Sequence, residues 1–347
     1  MDAECLVIGA GVFGLSVARA LKSAGRDVVV VDAVGPGAGA SGTPLGVLAP
    51  HAPDRWNEKK QAQFEALTTL SSVVSELESE TGVDIGYRQC GRLIPLTRET
   101  HLPLWQSRAR DAETNWRGVA SLQIVTPESL WLDESAAPFG AAQCGLTARI
   151  DARRYCDALA ANLGAIEGGY HLTHLAAGSA TFANGSTLRA KWIILATGSN
   201  AFSHIPDPEE GTPSGRGEKG QAAVLRLAPG IDVDDFPLIY RDRLYIVPRG
   251  EGLVSVGATS ERVYEDPEAT DEQLEALIER AKAICPRLEG AEIVERWARL
   301  RPRAADKRLL VGPHPTLAGV IIATGGFKTG LAMAHFAAQQ AAMNVTS

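Results

Sequence analysis

A chain of 347 residues, 45% hydrophobic and 22% charged, is long enough for one large or two interleaved globular domains and too apolar to be disordered. Its formal net charge of −7 argues against a nucleic-acid surface, which carries a basic footprint. Five scattered cysteines (Cys5, Cys90, Cys144, Cys156 and Cys285) form no C-x-x-C pair, so neither a disulfide framework nor a metal site is expected.

The N-terminal residues run almost directly into a strand, so no signal peptide is expected. Leu6 to Ile8 is a short apolar run entering Gly9, after which Leu15, Ala18 and Leu21 keep helical spacing as far as Gly25. "DVVVVD" (Asp27 to Asp32) is a second buried strand, which completes a βαβ unit whose parallel sheet needs cover on both faces. "AVGPGAGASGTPLG" follows and, by composition alone, reads as a flexible linker. Phe64, Leu67, Leu70, Val74 and Leu77 predict a long amphipathic helix that stops near Gly82.

The middle of the chain has a different texture. "GYRQCGRLIPL", "AAVLRL", "LIYRDRLYIVPR" and "LVSVGA" are short alternating strands, broken by turns such as Arg249-Gly250-Glu251-Gly252. They predict an antiparallel sheet. Thr270 with Gln273 makes a capping box for a helix carrying Leu274, Leu277, Ile278 and Ile284. "IILATG" (Ile193 to Gly198) and "VIIATG" (Val320 to Gly325) are nearly the same strand ending at the same turn. Buried parallel strands share a narrow vocabulary; the alternative is that both strands end at one ligand, because open parallel sheets bind at their carboxyl edge. The last stretch, Gly330 to Val345, is a small-residue helix too short and too interrupted by His335, Gln339 and Gln340 to span a bilayer. A cytoplasmic protein is expected.

Gly9-x-Gly11-x-x-Gly14 follows a strand and opens a helix, and Asp32 ends the next strand, 18 residues after Gly14. The first glycine permits a tight turn, the second lets a pyrophosphate approach the backbone, and the third packs helix on strand. Free N–H groups and the dipole at the helix start favour phosphate, and Asp32 would accept hydrogen bonds from a ribose diol while disfavouring a 2′-phosphate. That leaves NAD or FAD. A second glycine-rich turn at Gly325, Gly326 and Gly330 favours the longer cofactor, since a flat ring far from the adenosine needs its own grip.

"GASGTPLGVLAPH" (Gly39 to His51), "ATG" at Ala196 to Gly198, "KGQ" at Lys219 to Gln221, "YIVPR" at Tyr245 to Arg249, "VGAT" at Val256 to Thr259, "LRP" at Leu300 to Pro302 and "GGFKTG" at Gly325 to Gly330 follow in order. With the N-terminal glycines and Asp32, the chain resembles the D-amino-acid oxidase superfamily of FAD-dependent oxidoreductases, nearest its glycine/sarcosine oxidase branch. The resemblance covers nearly the whole chain. It implies an α/β protein with a discontinuous Rossmann-like FAD-binding domain (residues 1–85, 145–215 and 305–347) and a substrate domain (86–144 and 216–304) of antiparallel sheet plus helices. It implies oxidation of a carbon–nitrogen bond: a hydride leaves the substrate α-carbon for the flavin, the imine hydrolyses, and oxygen or another acceptor takes the electrons. The expected partner is a small carboxylated amine; no nucleic acid and no membrane are expected, and a homo-oligomer is compatible.

Residue by residue, the resemblance puts Gly9, Gly11, Gly14, Asp32, Ser41, Gly42, Gly198, Gly325, Gly326, Phe327, Lys328 and Thr329 at the cofactor. It makes Arg301 the carboxylate clamp, a job suited to a planar fork, with Tyr245 near the substrate. Lys328 stands where relatives often carry arginine. Each has a plain alternative: Arg299, Arg301 and Arg303 alternate as a solvated cationic stripe would, and Tyr245 could be a core aromatic. His51 has two readings, a neighbour of the ring or a structural histidine, and His314 and His335 have less claim to the site. The stretch after "LRP" holds no cysteine, where monomeric sarcosine oxidases attach flavin covalently, so non-covalent FAD is expected. The competing functions are a tRNA-modifying flavin oxidase of the carboxymethylaminomethyl type, a dehydrogenase with a non-oxygen acceptor, a nicotinamide-linked dehydrogenase and a non-catalytic flavin subunit.

Overall fold

The computed structural model describes residues 2–209 and 211–345. In chain order these form β1 (Asp2–Ile8), α1 (Val12–Ser23), β2 (Val28–Val31), β3 (Val47–Leu48), α2 (Glu58–Thr81), β4 (Arg92–Pro95), α3 (Leu102–Asn115), β5 (Leu122–Val125), β6 (Ala141–Cys144), β7 (Ala148–Arg149) and α4 (Ala152–Ala160). Then come β8 (Leu172–Ala176), β9 (Ser179–Phe182), β10 (Thr187–Leu195), β11 (Gly215–Arg226), β12 (Leu238–Arg241), β13 (Leu244–Gly250), β14 (Leu253–Gly257), α5 (Glu272–Ile284), β15 (Glu292–Ala304), β16 (Leu310–Pro313), β17 (Val320–Thr324) and α6 (Gly330–Met343).

One sheet runs β16-β17-β10-β1-β2, with β9 on β10 and β8 on β9. Four of its strands, β17, β10, β1 and β2, are parallel, and their period of two divides them cleanly between two cores. Val7, Val30, Ile194 and Ile321 enter the core beneath α1, α2 and α6, while Leu6, Ile8, Ile193, Leu195 and Ile322 join Phe182 and Phe202 on the other face. Strands buried on both faces must be apolar throughout, which is why β17 reads as an unbroken hydrophobic run. This is a Rossmann-like unit assembled from distant parts of the chain.

The second sheet runs β15-β11-β14-β13-β12-β4-β6-β5. It is mixed, not wholly antiparallel as expected: β4 pairs parallel with β12 (Leu238 beside Arg92), and every other neighbour is antiparallel. Nothing local in a strand encodes a partner about 145 residues away, so the alternating pattern named the strands and not their pairing. Helix α5 covers this sheet through Leu274, Leu277, Ile278 and Ala281. Its N-cap is Asp271, whose carboxylate accepts the Gln273 N–H at 3.0 Å, and not the expected Thr270. Both residues are good caps; here the helix starts one position later, at Glu272, so the residue before it, Asp271, takes the cap. Helix α2 ends at Gly82 in the left-handed conformation, where glycine costs least.

The glycine-rich "AVGPGAGASGTPLG" segment is not a linker. Gly37 N–H donates to the Ala10 carbonyl at 2.9 Å, and residues Ala40–Gly42 form a 3₁₀ turn. Arg153 Nε and Arg299 Nε strap it down through the Gly42 and Ala38 carbonyls, at 3.1 and 3.2 Å. Among the described residues, no helix is long and apolar enough to cross a membrane, and no group of three metal-ligating side chains converges.

Candidate active site

The carboxyl ends of β1, β10 and β17 lie level, with Ile8 beside Leu195 and Leu195 beside Ile322. Gly9 leaves β1 at φ +109°, and a Cβ there would overlap the Ala196 carbonyl, so only glycine lets these strand ends close up. The two "ATG" turns are tied together: Thr324 Oγ1 donates to the Gly198 carbonyl at 2.7 Å. Helix α1 has Gly11 as N-cap and no capping side chain of its own. Ser41 supplies it from the glycine-rich segment, its Oγ accepting the Val12 N–H at 2.9 Å. The other first-turn donors remain for a ligand. Asp32 holds the Ala10 turn and the Val34–Gly35 turn, Oδ2 accepting Ala10 N–H at 2.6 Å and Oδ1 accepting Val34 and Gly35 N–H at 2.8 and 2.9 Å. Each carboxylate oxygen accepts about two hydrogen bonds, which leaves Oδ2 room for a diol.

From this cradle one cavity of about 900 Å³ runs to the large sheet. Its far lining includes Arg92, Tyr240, Tyr245, Arg301 and Lys328, with His51. Arg301 is only 8% exposed, which rules out the solvated stripe. Its strand neighbours are engaged elsewhere: Arg303 pairs with Glu218, and Arg299 bonds the Ala38 carbonyl and pairs with Glu268. Arg301 itself makes one hydrogen bond, Nη1 to the Thr259 carbonyl at 3.1 Å, and among the described residues no carboxylate pairs with it. Burial pushes its pKa down to about 10, against the pull of Glu218 and Glu261.

The "KGQ" and "VGAT" segments set that carbonyl in place. Gln221 Nε2 donates to Glu261 at 2.9 Å and Asp271 at 2.8 Å, and Gln221 N–H donates to Thr259 Oγ1 at 2.8 Å. Buried Lys219 closes the cluster against Glu261 and Asp271, at 3.8 and 3.5 Å. On the other side, Phe327 sits at φ +42° and donates its N–H to the Pro302 carbonyl at 2.9 Å, bringing the "GGFKTG" turn onto "LRP". Lys328 opens into the cavity, yet the surrounding protein, and then Arg301, push its pKa down to about 8; Arg243 and Arg303 add to this while Glu218 opposes it. Tyr245 Oη accepts a hydrogen bond from Arg92 Nη1 at 3.1 Å. Burial raises its pKa despite that guanidinium.

Of the residues singled out in the sequence, Gly9, Gly11, Asp32, Ser41, Gly198, Gly326, Phe327, Lys328, Thr329, Tyr245 and Arg301 line this single cavity. Gly14, Gly42 and Gly325 stand behind its wall, where a methyl group would run into the Gly9, Gly37 and Arg308 carbonyls. They shape the cradle. His314 bonds the His204 carbonyl at 2.8 Å, and buried His335 meets Thr69 Oγ1 at 3.0 Å, so both are structural. Sequence reasoning missed Arg92, which carries no motif, and Gly220, where any side chain would overlap the Arg301 guanidinium.

A dinucleotide cradle and a buried arginine with no carboxylate partner among the described residues, on one cavity shared by a Rossmann-like sheet and a large mixed sheet, are the parts of a flavin oxidoreductase. The profile of the FAD dependent oxidoreductase (DAO) family matches residues 4–343, and the chain belongs to that family. The glycine oxidase of Bacillus licheniformis is 28% identical over 356 residues, covering 95% of this chain and 89% of the relative. The bifunctional protein ThiO/ThiG of Nostoc sp. is 30% identical over 362 residues, covering 97% of this chain and 52% of the relative. The chain thus spans about half the length of the ThiO/ThiG relatives it matches. Among solved structures, glycine oxidase from Geobacillus kaustophilus superimposes with a TM-score of 0.83 at 23% identity, covering 99% of this chain and 94% of that one. Iminodiacetate oxidase (IdaA) from Chelativorans sp. BNC1 gives 0.85 at 23%, covering 98% and 95%. These two likenesses speak for the fold.

Proposed function

We propose that this protein oxidises a small carboxylated amine (glycine, sarcosine, a D-amino acid or another N-substituted glycine) with FAD held non-covalently and oxygen as electron acceptor. The observation that carries the reading is Arg301: a buried guanidinium that no carboxylate among the described residues pairs with, on the same cavity as the glycine cradle. An uncompensated buried charge is costly, so its missing partner is best sought in the ligand.

The fit to FAD rests on the cradle. Ser41 and Asp32 fix the first turn of α1, the first-turn N–H groups are placed for phosphate, and Asp32 keeps acceptor capacity for a ribose. When bound, FAD supplies the two-electron acceptor for the hydride leaving the substrate α-carbon; the protein binds, orients and tunes. Arg301 grips the substrate carboxylate through two parallel hydrogen bonds and so sets the α-carbon at one position. Lys328 adds a second positive charge beside it, and Tyr245 offers a hydroxyl held by Arg92. Water then hydrolyses the imine to the carbonyl product and free amine. Cys144 is the cysteine that lines the cavity, and its sulfur accepts the Thr147 hydroxyl at 3.5 Å.

Two measurements test this. Acid precipitation should release yellow free FAD into the supernatant; flavin left on the pellet would mean covalent attachment. Anaerobic mixing with a panel of small amino acids and N-alkyl glycines should bleach the flavin, and admitting oxygen should restore it with peroxide release. A holoprotein that no carboxylated amine reduces would overturn the reading.

A further inference from the structure

Beside the proposed clamp, a second buried cation on the cavity has no anionic partner among the described residues. Arg92, on β4, is 8% exposed and lines the same cavity. Its Nη1 donates to the neutral Tyr245 hydroxyl at 3.1 Å, and its guanidinium lies 5.4 Å from the Tyr240 ring centroid. The two tyrosine rings lie tilted at 40° with their centroids 4.5 Å apart, forming a wall beside it. Its Nε has no hydrogen-bond partner, and among the described residues no carboxylate pairs with it. A phenol and a ring face recover only part of the cost of drying a guanidinium. Arg149, also buried and with no carboxylate pairing among the described residues, is outside the cavity lining and reaches the Asp234 carbonyl at 3.4 Å. Arg92 is therefore the orphaned charge that a ligand in this cavity could meet.

We propose that Arg92, with Tyr240 and Tyr245, is a second anion-binding point, and that the substrate is an amine carrying two carboxylates. The inference rests on the Arg301 reading and deepens it. Arg301 is on β15 and Arg92 on β4, with four strands between them in the sheet, so the two cations approach the cavity from different sides. A substrate with one carboxylate satisfies one of them and leaves the other buried and unpaired. A diacid satisfies both. Arg92 then sets which amine is preferred, while Arg301 sets the α-carbon.

The test compares anaerobic flavin reduction by iminodiacetate, D-aspartate and D-glutamate with reduction by glycine and sarcosine. At least one diacid should exceed the monoacids about tenfold or more in efficiency. Arg92→Met should collapse that ratio towards one, a loss of about 30- to 1,000-fold for the diacid, and Arg92→Lys should recover part of it. Equal losses for diacid and monoacid, matched by Tyr245→Phe, would mean that Arg92 only orients the tyrosine and would overturn the proposal. Should Arg92→Met not fold, wild-type holoprotein decides: malonate, succinate or glutarate should perturb the flavin spectrum at concentrations about tenfold or more below acetate and butyrate. Equal affinities would overturn the subsite. If no amine reduces the flavin, the proposed activity falls, and the same titration still judges Arg92.

Discussion

Gly220 on β11 offers a way to move the proposed clamp without removing it. A methyl group at this position would overlap Cζ, Nη1 and Nη2 of Arg301. The obstacle is the tip of a flexible side chain and not backbone, so the sheet should stand and the guanidinium should yield. Clearing the overlap takes a displacement on the order of 1 Å, and misplacing a positioning group by that much costs about 100-fold in rate. That is about 2.7 kcal/mol of transition-state stabilisation. Arg301→Met removes the charge altogether and sets the ceiling, about 2–5 kcal/mol or roughly 30- to several-thousand-fold in efficiency. Because both changes act on one group, the double variant should be no worse than Arg301→Met alone. The assay is anaerobic flavin reduction by the amine, normalised to bound flavin, for wild type, both single variants and the double. Flavin content should be unaffected, since neither residue belongs to the glycine cradle. Wild-type efficiency in Gly220→Ala, or losses that simply add in the double variant, would refute the assignment of Arg301.

Asp32→Ala removes an acceptor for the ribose together with the three hydrogen bonds that hold the Ala10 and Val34–Gly35 turns. At about 1–3 kcal/mol, FAD affinity measured by fluorescence titration should fall roughly ten- to a hundredfold. The ammonium of Lys328, with its pKa near 8, is present below that pH and lost above it. Efficiency towards an anionic substrate should therefore decline as pH rises through about 8, and Lys328→Arg should shift that limb upward; a profile that does not move would remove Lys328 from the site. Burial holds His335 neutral down to about pH 4, against an ordinary value of 6.5. Between those values the unfolded chain binds a proton that the native state refuses, so stability should drop by roughly 3 kcal/mol as pH falls from 6.5 to 4. Denaturant melts of His335→Gln should show a flatter dependence over that window.

The parts of this molecule that were legible in its sequence are those whose reason is local. Gly14 must be glycine because of the Gly9 carbonyl and Gly9 because of the Ala196 carbonyl at the adjoining strand end, while a Cβ at Gly11 would press on Ser41 Oγ at 3.1 Å; the repeated "ATG" follows from two parallel strands ending at one edge. The helix spacing in Phe64 to Leu77 needed only its own buried face. Long-range causes left no such trace. Arg92 sits in "GRLIPL", an ordinary alternating strand, and its burial depends on β4 lying beside β12, which is far along the chain. Gly220 looked like part of a motif with no stated duty, since its constraint is a side chain on β15. Ser41 was expected at the cofactor, but its service as the cap of α1 could not be read from a residue 29 positions away.

The cofactor cradle has a temporal side. Its floor is made of β1 and β10, but β17 and α6 close it, and α6 packs against α1 from the far end of the chain. At a translation rate of about 5–20 residues per second, roughly 15–60 s separate the emergence of β1 from that of β17. Throughout that interval Phe13 on α1 lacks Gly326 and Gly330, the residues it packs on in the finished fold. On the proposed function, the cradle that holds the flavin is complete only once translation has passed α6, and until then the nascent chain carries an uncovered apolar helix face. Slowing synthesis ahead of residue 320 lengthens that exposure without altering a single amino acid of the product.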